Sequence, residues 1–286
     1  MERSLRAFYI AVLMFAGRPL TAQDLAPPLQ SGPNRYSLEK EAALGKQLAA
    51  ELRERMSPID VPVVQNFLDQ LGKSIAALMP DAKLPFTFTP IAEDPCLTTH
   101  EPVAMPGGYI FVPAALFLAA RDEAEFAGML VHAMEHVTQR HEIRQAGGGA
   151  MASIPLIFAG GWGGGCSEGV SIPVGFIASQ RTAELEADRG AVQTMALAGF
   201  DPEALVRYIQ RVQPPSDGTA KGHTSVPDRD SRVAAIRSAI EKLPSMGVRA
   251  MQQNGFAAAR EEMRPFAQTP LVRPDTQPTL LRKSPR

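Results

Sequence analysis

Cysteine is nearly absent from this 286-residue chain, which has only Cys96 and Cys166. Their separation excludes a CxxC metal or redox site. In an oxidising compartment the two can pair, and otherwise they are two separate thiols. Charge of neither sign predominates, with 29 Lys+Arg against 30 Asp+Glu, so the composition offers no basic face for nucleic acid. Aromatic residues are scarce at 6%, and no internal repeat is visible. What remains, 45% apolar residues and 25 prolines, describes a globular protein with irregular segments. It excludes a coiled coil or a bundle of membrane helices, and the length suits one sizeable domain or two small ones.

The chain opens like an export signal. Arg3 and Arg6 form a short positive region, the uncharged run Ala7 to Gly17 follows, and small residues near Ala22 offer a cleavage point. That run reaches only about 16 Å as a helix, too short for a bilayer core of ~30 Å. Residues 1–22 are therefore expected to be a signal peptide and 23–35 a linker. A periplasmic or secreted location follows, with membrane or envelope association if the leader stays uncleaved as an anchor. Residues 145–167 carry no charge and eight glycines, too weakly apolar for a membrane span. The stretch 145–178 reads as a lid beside a site or as a plain flexible linker. The main domain is expected over 36–250, and the proline-rich, basic end over 251–286 as a disordered tail.

Between these limits the periodicity alternates. Leu38, Ala42, Leu44, Leu48 and Leu52 recur at helical steps within Tyr36 to Met56, and a second helix is expected from Val63 to Met79. LPFTFTPIAED and GGYIFVP (Gly107 to Pro113) read as strands. Helices are expected near Pro113, from Asp122 to Arg144, from Ser179 to Ala198, over DPEALVRYIQRV, and from Asp228 to Leu243. The sum is an α+β fold, mainly helical with a small sheet.

The chemistry concentrates in LVHAMEHVTQRH, residues 130 to 141. Positions four apart on a helix differ by only about 40°, so His132 and His136 can grip one ion. Two such histidines alone are more often packing or surface residues than ligands. Glu184 and Asp188, also four apart, strengthen the reading: Glu184 offers a third ligand and Asp188 a hydrogen-bond partner for a ligand imidazole. Without the histidines this pair reads as a solvated acidic face.

Four stretches together resemble the HtpX/BepA/CAAX-prenyl-endopeptidase-like family of gluzincin zinc metallopeptidases. VAMPGGYIFVPAAL is similar to the strand before its active-site helix, LVHAMEHVTQRH to its zinc helix, AELEADRGA to its third-ligand helix, and HTSVPDRDSRVAAI to its downstream element. The resemblance implies a zincin-like domain holding one zinc through His132, His136 and Glu184, with Asp188 in support and His223 and Arg232 near the cleft. It also implies that the strand containing Gly107, Gly108, Tyr109 and Ile110 edges the cleft and binds extended polypeptide by strand addition. Endoproteolysis of exported or envelope proteins by a zinc-activated water is the inherited chemistry, a protein quality-control role.

Two positions depart from that pattern: Thr224 stands where proline is usual, and the second departure bears on catalysis. The family's glutamate after the first histidine, which polarises the attacking water and passes its proton to the leaving amine, is Ala133 here. HAMEH also reads as HxxEH, the inverted arrangement. With His132 at 0°, Ala133 lies at about 100° and Glu135 at about −60°, each ~60° from the nearer histidine. Glu135 is thus the candidate base, although it lies on the polar flank with Gly128, Thr138 and Gln139. The alternatives are a zinc-binding pseudopeptidase, a chaperone-like module that holds extended polypeptide without cutting it, and a metal-free structural relic.

Overall fold

The structure is a computed structural model that describes residues 37–79, 81–92, 100–145, 174–213, 227–244 and 255–267. The expected leader and linker, Cys96, Cys166, His223 and most of the glycine-rich stretch lie outside the described residues. The described elements are α1 (Leu38–Arg55), α2 (Pro62–Ala76), β1 (Thr87–Ile91), β2 (Val103–Met105), β3 (Tyr109–Pro113), α3 (Ala114–Ala119), α4 (Glu123–Thr138), α5 (His141–Gln145), α6 (Val174–Ala198), α7 (Glu203–Val212), α8 (Arg229–Ile240) and α9 (Phe256–Met263). This is the expected α+β architecture, helical with one small sheet.

Local chemistry explains where these elements begin. Ser37 caps α1 by accepting from the Lys40 amide, Asp122 caps α4 through Glu125, and Asp228 caps α8 through Ser231. Each supplies an acceptor to an amide that the first helical turn leaves without one. Pro62 opens α2, where its missing N–H costs nothing. One continuous core then forms around Phe67, Phe117, Phe126 and Phe256, whose rings pack at centroid distances of 4.5–6.3 Å. Helices α4 and α6 pass through this core side by side and carry the site.

Three expectations are corrected. The sheet runs β1-β3-β2, with β1 parallel and β2 antiparallel to β3. The GGYIF strand is therefore central: both its edges are already paired, and it cannot add a peptide strand. The strand on the α4 side is β2, too short at three residues for alternation to reveal. Gly107 and Gly108 make the turn between β2 and β3 with φ of 81° and 88°, a conformation glycine adopts without strain.

The second correction concerns the helix expected to run unbroken to Arg144. It stops at Thr138 and restarts as α5 at His141, because Arg140 takes a left-handed conformation with φ 55°. The third concerns the boundaries. Residues 174–178, assigned to the glycine-rich lid, are already helical in α6. The expected tail contains α9, whose Phe256, Ala259 and Met263 are buried against the core. FAAAREEM is too short and too alanine-rich to show a period, but its single phenylalanine fits beside Phe67.

Candidate metal centre

His132 and His136 stand one turn apart on α4, and Glu184 and Asp188 one turn apart on α6; all four are buried. The Nε2 atoms of the two histidines are 3.2 Å apart. Nε2 of His132 lies 3.3 Å from Oε2 of Glu184, and Nε2 of His136 lies 3.2 Å from Oε1. Three donor atoms, from three different side chains, thus converge on one point. With zinc–nitrogen and zinc–oxygen bonds near 2.0–2.2 Å, a tetrahedral site has donor–donor edges of about 3.3 Å. The observed separations are of that size, the two to Glu184 ending on different oxygens of its carboxylate. Neither oxygen of the buried Glu184 carboxylate has a well-formed hydrogen bond, so the cluster fits a cation better than it satisfies itself.

The outer nitrogens also face partners. Nδ1 of His132 lies 2.9 Å from Oδ1 of Asp188, an ion-pair contact rather than a well-aligned hydrogen bond. Arg232 grips that carboxylate with both prongs, Nη2 to Oδ1 at 2.8 Å and Nε to Oδ2 at 2.9 Å. Its remaining prong reaches Oε1 of Glu101 at 2.8 Å, just before β2. Expected near the cleft, Arg232 is instead fully buried behind Asp188.

On the other histidine, Nδ1 of His136 lies 3.1 Å from Nδ1 of His141 and 3.7 Å from Oε1 of Glu142. His141 continues to Glu186 at 3.1 Å, and Arg144 closes the chain on the same carboxylate oxygen at 2.6 Å. Glu101, Glu142, Glu186 and Arg144 were not singled out in the sequence, and His141 entered only as the end of the LVHAMEHVTQRH stretch, with no role of its own. The signal that could have found them is this third histidine, five positions past His136.

Charge follows this wiring. Burial works against protonation of His132, but the carboxylates of Asp188 and Glu184 outweigh it and push its pKa up to about 10. Burial opposes ionisation of Glu184 and Asp188 too, yet both are held below the ordinary carboxylate range, by the two histidines and by Arg232 with His132 respectively. His141 is driven down to about 3 by burial and is neutral. Glu186, despite its burial, is held at about 2 by His141 and Arg144. Burial raises Glu142 to about 7.

The proton-handling positions look different. Ala133 is a buried methyl group in the core. Glu135 is buried against α6, its Oε1 accepting from the Thr194 hydroxyl at 2.8 Å and its Oε2 from the Gln139 amide at 3.0 Å. A Cβ on Gly190 would fall 2.5 Å from that Oε2, so the glycine is what lets the carboxylate lie between the helices. Burial raises its pKa.

A fold of this kind, with paired histidines on one helix answered by a glutamate on the next, defines a zincin-type metallopeptidase domain. Residues 65–240, more than half of the chain, match the model of peptidase family M48, and the chain belongs to that family. Members of M48 are zinc metallopeptidases. The chain is 31% identical over 191 residues to a putative beta-barrel assembly-enhancing protease of Vibrio cholerae, covering 62% of this chain and 38% of that protein. It is 28% identical over 258 residues to the beta-barrel assembly-enhancing protease of Yersinia pestis, covering 84% of this chain and 52% of the relative. The Escherichia coli K12 protein of the same name is 25% identical over 288 residues, covering 91% and 58%. The chain therefore spans less than two thirds of the length of these relatives. No helix among the described residues is long and apolar enough to cross a membrane.

Proposed function

We propose that the chain is a zinc-dependent metalloendopeptidase of the cell envelope that acts on exported proteins in protein quality control. The observation that carries this reading is the meeting of His132, His136 and Glu184 at tetrahedral donor spacing, with the outer nitrogen of each histidine held from behind. The names of the relatives, proteases that enhance beta-barrel assembly, support an exported location and polypeptide substrates.

A zinc ion held by these three residues would supply Lewis acidity, lowering the pKa of a water toward ~7 and polarising a peptide carbonyl. The chain's own residues have separate tasks. His132 and His136 present Nε2 lone pairs, and Glu184 brings one negative charge. Asp188 with Arg232 fixes the ring of His132 and links it to the segment ahead of β2. Among the described residues, the strand beside α4 with which an extended peptide could pair is β2, whose backbone would hold the scissile bond near the donors. No carboxylate stands at position 133 to take a proton from water, and such a loss typically costs roughly 10²- to 10⁴-fold. Hydrolysis by this chain is accordingly slow.

A second reading, a zinc centre that holds extended chains without cutting them, is favoured by one observation: Glu135, the substitute base that the HxxEH pattern offers, spends both oxygens on Thr194 and Gln139. The test is cleavage of an unfolded outer-membrane protein by the purified zinc-loaded chain. Slow cleavage that disappears in Glu184→Ala supports the enzyme. Stable capture of the substrate with no fragments from wild type would replace it with the second reading.

A further inference from the structure

His136 turns its two nitrogens to different neighbours. Nε2 faces Glu184 and His132, whereas Nδ1 lies 3.1 Å from Nδ1 of His141. Two ring nitrogens at that distance bond only when one carries the hydrogen and the other a lone pair. The far side of His141 decides which. Its Nε2 lies 3.1 Å from Oε2 of Glu186, and the same oxygen accepts from Nη2 of Arg144 at 2.6 Å. A carboxylate paired with arginine only accepts, so Nε2 of His141 carries the ring hydrogen. A neutral imidazole has one N–H, which leaves Nδ1 of His141 with a lone pair. The hydrogen between the two histidines then belongs to Nδ1 of His136. In the neutral ring that a metal ligand requires, its Nε2 then keeps a lone pair on the side of Glu184 and His132.

We propose that His141 is a positioning residue that fixes the metal-binding tautomer of His136, with Glu186 and Arg144 setting the direction of the hydrogen-bond chain. The inference rests on the metal reading of the His132, His136 and Glu184 cluster. His141 is not a ligand and touches no substrate. Unlike Asp188 behind His132, His141 itself is an uncharged acceptor; the Glu142 carboxylate stands farther off, its Oε1 3.7 Å from Nδ1 of His136.

The backbone is arranged for this contact. On a straight helix residues five apart differ by about 140°, and His141 would point away from His136. The left-handed turn at Arg140 folds α5 back so that the two Nδ1 atoms meet. Glu186 sits on α6 between Glu184 and Asp188, so that one helix supplies the ligand and both anchoring carboxylates.

The test joins a spectrum of the unaltered protein to an affinity series. In the zinc-loaded chain labelled with ¹⁵N-histidine, two-bond ¹H–¹⁵N correlations should show His141 with its hydrogen on Nε2 and His136 with its hydrogen on Nδ1. A hydrogen on Nδ1 of His141, or on both its nitrogens, overturns the proposal without any variant having to fold. Zinc affinity by chelator competition is then compared among wild type, His141→Gln and His141→Leu. Glutamine can accept from His136 and donate to Glu186; leucine can do neither. The leucine variant should bind roughly 10- to 100-fold more weakly, with glutamine restoring most of the loss. Affinity unchanged in His141→Leu, or lowered equally in both variants, contradicts the assignment. A wild-type chain that takes up no zinc would sink the metal reading itself, an outcome distinct from the failure of His141 alone.

Discussion

Within one turn and a half of α4, two pairs of positions have opposite fates. His132 and His136 converge with Glu184 and are each braced from behind by a chain ending in an arginine. Ala133 and Glu135, the positions from which a carboxylate could handle a proton, serve packing: the first fills the core and the second ties α4 to α6 through Thr194. The difference teaches that holding a metal and moving a proton are separable demands on the same helix. The first needs convergence of three donors from two helices; the second needs one side chain left unengaged.

The largest effect should come from removing a donor. Loss of one of three protein ligands gives up roughly a third of the ~10–16 kcal/mol typical of a structural zinc site. Glu184→Ala should therefore weaken zinc binding by about 10²- to 10⁴-fold in chelator competition. An affinity within tenfold of wild type would mean that the cluster is not the zinc site. Next comes the anchor. Arg232→Met leaves the wholly buried Asp188 with His132 as its remaining charged partner. Denaturant unfolding of the metal-free protein should reveal a loss of about 3–5 kcal/mol, and zinc affinity should drop about 10- to 100-fold. A variant as stable as wild type would reduce Arg232 to a bystander.

The pH dependence of the metal-free protein separates the same two halves. His132 has its pKa raised from 6.5 to about 10 in the fold. Its contribution to stability is complete below pH 6.5 and is lost as pH rises toward 10. Glu184 is shifted downward from 4.5, so its contribution is complete above pH 4.5 and is lost on acidification. Melting temperature without metal should peak between about pH 4.5 and 6.5 and decline on the alkaline side. Zinc, which displaces the His132 proton, should remove that decline. A metal-free protein whose stability stays flat from pH 6.5 to 10 would refute the ion-paired state. The smallest effect is expected from Glu135→Gln. An amide can still accept from Thr194, so stability should fall by about 1 kcal/mol with slow turnover little changed. Abolished turnover at full zinc content would make Glu135 the base.

The meeting of His132, His136 and Glu184 was legible in the sequence because helical spacing alone puts His132 beside His136 and Glu184 beside Asp188, and the motif order supplied the pairing of the two helices. What supports the ligands was not. A helix assumed to run through Arg140 points His141 away from His136, and only the backbone reversal there brings Nδ1 to Nδ1. β2 is three residues long, and without it the strong GGYIF pattern reads as an edge when it is the middle of the sheet. Glu135 reads from the sequence as part of a polar flank with Gly128, yet α4 is buried on that side: Gly128 faces Met195 and Leu205, and Glu135 lies between α4 and α6. The sequence gives no sign that Gly190 opens a slot on α6 for its carboxylate.

The most direct test of a complete metal site without its base is the turnover of an unfolded outer-membrane protein by wild type and Ala133→Glu, at matched zinc content. The account predicts slow cleavage by wild type and a gain of roughly 10²- to 10⁴-fold on restoring the carboxylate. Rapid cleavage by wild type, with no gain from Ala133→Glu, would contradict it.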